Sequence, residues 1–282
     1  LAMQEKNRRW YLYVAHLWHR GWSVLDVTDP AAPQFCTYVP GPENTWTIQI
    51  QVADGKMIAG LERIAPGWGG ADGQLAAEGF FIFDVGEPAK PKQIGHCKTG
   101  STGTHRNFYD GGNIVHAAAG APGLTGKIYR SVDISDPTNP RELGRFALPE
   151  QQAGVDTKGL KFSFHGPAHI EGERAYLSYG DGGGIILDVS DRAQPKLVSQ
   201  LAFRGITATQ GIHTYLPLPR RKLALINDEA IRENGDENLN LAGIVDISDE
   251  KRPRMLSLFP LPEPPPESEL KNFYEKAGRF GP

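Results

Sequence analysis

Five copies of one short unit limit what this chain can fold into. SVLDVTDPAAPQF (23–35), FIFDVGEPAKPKQ (81–93), RSVDISDPTNPRE (130–142), IILDVSDRAQPKL (185–197) and GIVDISDEKRPRM (243–255) share one pattern. An apolar-Asp-apolar core is followed by a polar turn, a proline and a second apolar run. The core aspartates Asp26, Asp84, Asp133, Asp188 and Asp246 lie 58, 49, 55 and 58 residues apart, a spacing that marks a repeat architecture.

Each part of the unit has a physical role. Asp29, Asp136, Asp191 and Asp249 are placed to accept a backbone N–H two residues on and close a turn, and Glu87 stands in the equivalent place. The later prolines (Pro33, Pro91, Pro140, Pro195, Pro253) lack an N–H and suit the start of an outermost strand. Further strand-like runs precede each copy, such as WYLYVAH (10–16), KMIAGLE (56–62) and KLALIND (222–228). Four of the copies have one more run before that, at 45–51, 105–110, 165–170 and 213–218. Four antiparallel strands per period predict an all-β fold, a β-propeller of four-stranded blades with five recognisable in this chain. The expected organisation is a single propeller domain over 1–282, with blade cores near 10–40, 45–96, 104–148, 164–203 and 212–260. Residues 261–282 read as a proline-rich connector with a short helix over 267–277.

Composition fits this reading and narrows the partners. Glycine at 33 and proline at 22 supply the many turns that short strands need. A net charge of -3 gives no electrostatic basis for nucleic-acid binding, and no apolar run is long enough to span a bilayer. Cys36 and Cys97 lack metal-type spacing and read as free thiols, which leaves the compartment undecided.

The repeat cores resemble the LVIVD-repeat proteins, a β-propeller family, over nearly the whole chain. NTWTI (44–48), THR (104–106), IHTYLPLP (212–219) and DEA (228–230) resemble one bacterial subgroup more closely. Against that subgroup both ends look clipped, since GRFGP (278–282) continues there into another blade and no inner strand is evident before Trp10. The resemblance therefore implies that a further segment or a partner chain completes the first blade.

Registering the blades on their inner strands gathers polar residues at one rim. His105, His165 and His213 fall at or beside the first residue of that strand, with Thr45 or Trp46 in the corresponding place of the second blade. His16, Asp181, Asp228 and Glu229 end second strands, which return to the same face, and Arg106 and Arg232 lie nearby. Three imidazoles from three blades form a candidate site for a transition metal ion such as Zn, Fe or Cu. His16, Asp228, Glu229 and Arg106 are the candidate catalytic groups. Trp46, His169, Asp181 and Arg232 are the candidate contacts to a small-molecule substrate. His116 reads as a core histidine, and the insert at 63–79 as a cover for one face.

Two functions follow. One is an enzyme with a histidine-rich, metal-dependent or histidine-based site, an oxidoreductase or a lyase or hydrolase. The alternative is a non-catalytic scaffold that holds a protein or glycan on one face.

Overall fold

The structure, a computed structural model, describes residues 1–71, 73–203, 207–232, 237, 241–260 and 265–267. Its described residues form strands and two short 3-10 turns, with no α-helix among them. The helix expected over 267–277 lies outside the described residues apart from its first position. No described helix is long and apolar enough to cross a membrane.

The strands build five antiparallel sheets, the blades of a β-propeller fold. The first holds β1 (Ala2–Lys6), β2 (Arg9–Ala15), β3 (Trp22–Asp26) and β4 (Gln34–Val39) in sequence order. The second has an inner strand in two pieces, β5 (Thr45–Trp46) and β6 (Ile50–Ala53), both paired to β7 (Lys56–Arg63), followed by β8 (Gly79–Asp84) and β9 (Lys92–Cys97). The third comprises β10 (Thr104–Phe108), β11 (Ile114–Ala119), β12 (Ile128–Asp133) and β13 (Arg141–Phe146). β14 (His169–Glu171), β15 (Arg174–Ser178), β16 (Gly184–Asp188) and β17 (Lys196–Leu201) form the fourth. The fifth is β18 (Ile212–Leu218), β19 (Leu223–Asp228), β20 (Ala242–Asp246) and β21 (Arg254–Leu258).

The chain divides into two compact units. Unit 1 comprises residues 1–122 and 128–145 and holds the first three sheets but for one terminal residue. Its second sheet is buried on both faces. Met57, Ala59 and Leu61 pack with Tyr13, Trp22 and Val24 of the first sheet. Ile58, Phe80 and Ile82 pack with Val115 and Val132 of the third. This is the two-residue strand alternation with apolar side chains on both sides. Each such side chain fully withdrawn from water contributes about 1.5–3 kcal/mol. Unit 2 comprises residues 123–127 and 146–282. Tyr176 and Ile186 of its fourth sheet pack there against Tyr215, Ile226 and Val245 of the fifth.

The repeat unit is explained at atomic level. In all five copies the core aspartate accepts the N–H two residues on: Thr28, Gly86, Ser135, Ser190 and Ser248 donate at 2.8–3.0 Å. Ala31, Thr138, Ala193 and Lys251 donate likewise to Asp29, Asp136, Asp191 and Asp249. Two successive side-chain turns thus replace the ladder bonds lost where the third strand ends. The outer strand gains one unpaired residue in four blades, Cys36, Ile94, Val198 and Leu256, which bends an exposed edge away from intermolecular pairing.

Two expectations need correction. The first blade has its own inner strand, β1, in register from Ala2↔Tyr13 to Lys6↔Arg9, so no outside segment is needed there. The connecting turn places Asn7 and Arg8 at φ 53° and 63°. Such turns favour Asn-Gly, and an arginine in the second place conceals the hairpin. The inner strand expected at 165–170 is also shorter, beginning only at His169. Pro167 cannot donate to a ladder, and the chain from Lys161 to Ala168 runs irregularly.

The turn aspartates make the fold acid-sensitive. Hydrogen bonds from residues two positions on, with Arg254 adding, hold the Asp246 carboxyl at about 2 against 3.8 when unpaired. Asp26, Asp133 and Asp188 are lowered for the same leading reason. A lowered folded-state pKa contributes stability that is complete above the unfolded value and lost as pH falls toward the folded one. Urea midpoints of the chain and of Asp246→Asn are therefore expected to differ near neutral pH. The gap should close between about pH 4 and about pH 2. A gap that stays constant through that range contradicts this account.

Candidate functional site

The site builds up in unit 2 from a β-bulge. Ile212 pairs with Asp228 and Thr214 with Asn227, so His213 is the extra residue of β18. A bulge turns its side chain out of the regular alternation. The imidazole is buried, with Nδ1 at 3.1 Å from the Thr214 hydroxyl.

His165 reaches the same place by a different route. Its N–H donates to the Ser178 carbonyl at 3.1 Å, and the next N–H, of Gly166, donates to the Ser178 hydroxyl at 3.1 Å. That hydroxyl in turn donates to the His213 carbonyl at 2.5 Å. Gly166 is needed here for space, because a Cβ on it would lie 1.9 Å from the His213 carbonyl oxygen. In HGPAH the glycine permits the approach and the proline ends the ladder. One buried serine holds both histidine backbones.

Glu229 follows directly after β19 and donates its N–H to the Gly211 carbonyl at 3.1 Å. Its Oε2 lies 2.8 Å from His165 Nδ1 and 3.8 Å from His213 Nε2. The two rings meet edge to face, with centroids 4.9 Å apart at 87°. One ligand atom from each of His165, His213 and Glu229 falls within 4.8 Å of the others. Ligands of one tetrahedral zinc ion, bound at about 2.0–2.2 Å, stand roughly 3.4 Å apart.

Glu229 is the residue that the structure places beside both His165 and His213. In unit 1, His105 Nδ1 lies 2.5 Å from Glu62 Oε2. His105 too sits in a bulge, between the paired residues Thr104 and Asn107. Glu62 ends the run KMIAGLE, and the second-strand rule that selected Asp228 and Glu229 also points to it. Ser178 carried no signal, being one hydroxyl in an apolar strand.

The other candidate residues have local partners. In unit 1, His16 Nε2 lies 2.7 Å from the Ser23 hydroxyl. Trp46 is buried against Trp18 and Trp68 at ring separations of 5.5 and 6.1 Å. Arg106 shares the β10 bulge with His105, near enough to the amine of Leu1 to add to the lowering of its pKa by burial. In unit 2, Asp181 accepts the Lys161 N–H at 2.7 Å and so anchors backbone. His169, in β14, pairs across to Tyr176 of β15, and burial lowers its pKa. Asp228 accepts the Ala208 N–H at 2.7 Å, and burial raises its carboxyl to about 6. Arg232 is exposed, its backbone N–H held by the Glu237 carboxylate.

Comparison with known proteins agrees with the fold. A family model for the LVIVD repeat matches residues 131–147 and 169–202. A solved protein from Lactobacillus plantarum superposes with a TM-score of 0.61 at 12% identity, over 90% of this chain and 69% of its own. A functionally unknown protein from Desulfotomaculum acetoxidans gives a TM-score of 0.57 at 10% identity, covering 91% of this chain and 70% of its own. The computationally designed protein Ika8 gives 0.54 at 11% identity, and this chain spans 92% of itself but 60% of that protein. No curated protein matches the sequence.

The Ser178 link is open to test. Ser178→Ala leaves the His213 carbonyl and the Gly166 N–H without that partner, at an expected cost of about 1–3 kcal/mol in urea unfolding. Gly166→Ala should cost at least as much, since backbone must move. Wild-type stability in both variants would show that the hydroxyl does not hold the two histidines.

Proposed function

We propose that this chain, an LVIVD-repeat β-propeller, is a metal-dependent enzyme whose ion is held by His165, His213 and Glu229. One observation carries the reading: three side chains from separate segments of unit 2, none more than 14% exposed, bring ligand atoms within 4.8 Å. Burying two imidazoles and a carboxylate together is costly for a protein with no use for them.

Two histidines and one carboxylate with no thiolate suit zinc or ferrous iron rather than a soft ion. Three protein ligands leave a position for water or substrate, as catalytic sites require. A divalent ion bound there would supply Lewis acidity. The chain's own part is to position. Ser178 and Gly166 set the two histidine backbones, and the Gly211 carbonyl holds the backbone at Glu229. This arrangement favours hydrolytic or lyase chemistry on a small molecule.

Elemental analysis of protein purified without an affinity tag tests the reading. Near-stoichiometric zinc or iron is expected, lost in His165→Ala,His213→Ala and reduced in Glu229→Gln. His105→Ala is expected to keep its metal. Wild-type protein that takes up no ion after challenge with either metal overturns the proposal and favours the scaffold reading.

A further inference from the structure

His165 belongs to two places at once. Besides meeting His213 and Glu229, it lines a cleft of about 390 Å³ in unit 2, together with Lys127, Leu160, Lys161, Phe162 and Gln210. That volume falls within the range of small-ligand sites. A candidate metal ligand is thus also a wall of this cleft.

The cleft's charge is one-sided. Its lining includes two lysines and a histidine and no acidic residue, in a chain whose net charge is -3. Lys161 is exposed and has no ion pair among the described residues. Its backbone is fixed all the same, with the N–H held by Asp181 Oδ2 and the carbonyl accepting the Asp181 N–H at 2.9 Å. Leu160 and Phe162 give the same space an apolar wall.

The walls are preformed. Gln151 is fully buried, and its side-chain amide donates to the carbonyls of Thr125, Lys127 and Phe162 at 3.1, 2.8 and 3.2 Å. A single amide group thus ties the Lys127 side of the cleft to the Phe162 side. Its oxygen accepts the Leu148 N–H at 3.1 Å, which fixes the amide in turn. The Thr157 hydroxyl donates to the Leu160 carbonyl at 2.8 Å and shapes the adjoining loop. Fixed walls spare a ligand the cost of ordering them.

We infer that the substrate is a small organic anion, with an apolar body on Leu160 and Phe162 and a carboxylate or phosphate facing Lys127 and Lys161. As a statement about substrate, this rests on the metal-site reading. As a statement about binding, it rests on the cleft alone.

Calorimetric titration of the full chain, zinc-loaded and metal-free, with benzoate, phenyl phosphate and uncharged benzamide tests it. One or both anions are expected to bind at least about tenfold more tightly than benzamide. That preference should disappear in Lys127→Gln,Lys161→Gln while the zinc content stays at the wild-type level. The tighter of the two anions identifies the headgroup. Equal binding of benzamide, undiminished anion binding in the double variant, or no binding by any probe overturns the inference. A chain that takes no zinc defeats the metal reading, and the metal-free titration then still decides the cleft. Gln151→Ala gives a second arm, expected to weaken anion binding without removing a charge.

Discussion

The buried carbonyl of His213 is the point on which the site depends. It accepts the Ser178 hydroxyl and stands where a side chain on Gly166 would have to go. A buried carbonyl without a donor costs about 1–3 kcal/mol, so the serine fixes that approach with an energy comparable to a good share of a domain's stability. The separation of the fourth and fifth blades at their inner ends follows from this contact. So does the meeting of His165, on an irregular segment, with His213, on a bulge. Apolar packing of Tyr176 and Ile186 against Tyr215 and Ile226 holds the same two sheets together, but packing is not directional. The hydrogen bonds make the geometry specific.

The fold was legible in the sequence because its recurring parts are local. An aspartate that bonds two residues ahead, and a proline that cannot join a ladder, act within a few residues of themselves. They read the same way in every copy. The first inner strand was not legible, because Ala2–Lys6 has weak alternation and Arg8 occupies a turn position where glycine is expected. The inner strand expected from His165 failed at Pro167, where a proline rule applied to the outer strands holds equally.

The site was half legible, for a related reason. Strand register gives the level of a residue along its blade but not the neighbour toward which its side chain turns. His105 and His213 both stand in bulges at the start of inner strands, and each meets a carboxylate from a second-strand end. For His105 that carboxylate is Glu62, and a two-residue pair results. For His213 it is Glu229, which also meets His165, and a group of three side chains results. The difference comes from His165, whose position depends on Ser178 and Gly166 rather than on any strand pattern.

X-ray absorption at the metal edge of zinc- or iron-loaded protein reports the ligands of the ion themselves. Scattering from two imidazoles is expected, with the remaining ligands oxygen, at metal–nitrogen distances of about 2.0–2.1 Å. In His213→Ala the imidazole count should fall to one. A bound ion that shows no imidazole, or one whose spectrum is unchanged by His213→Ala, would contradict it.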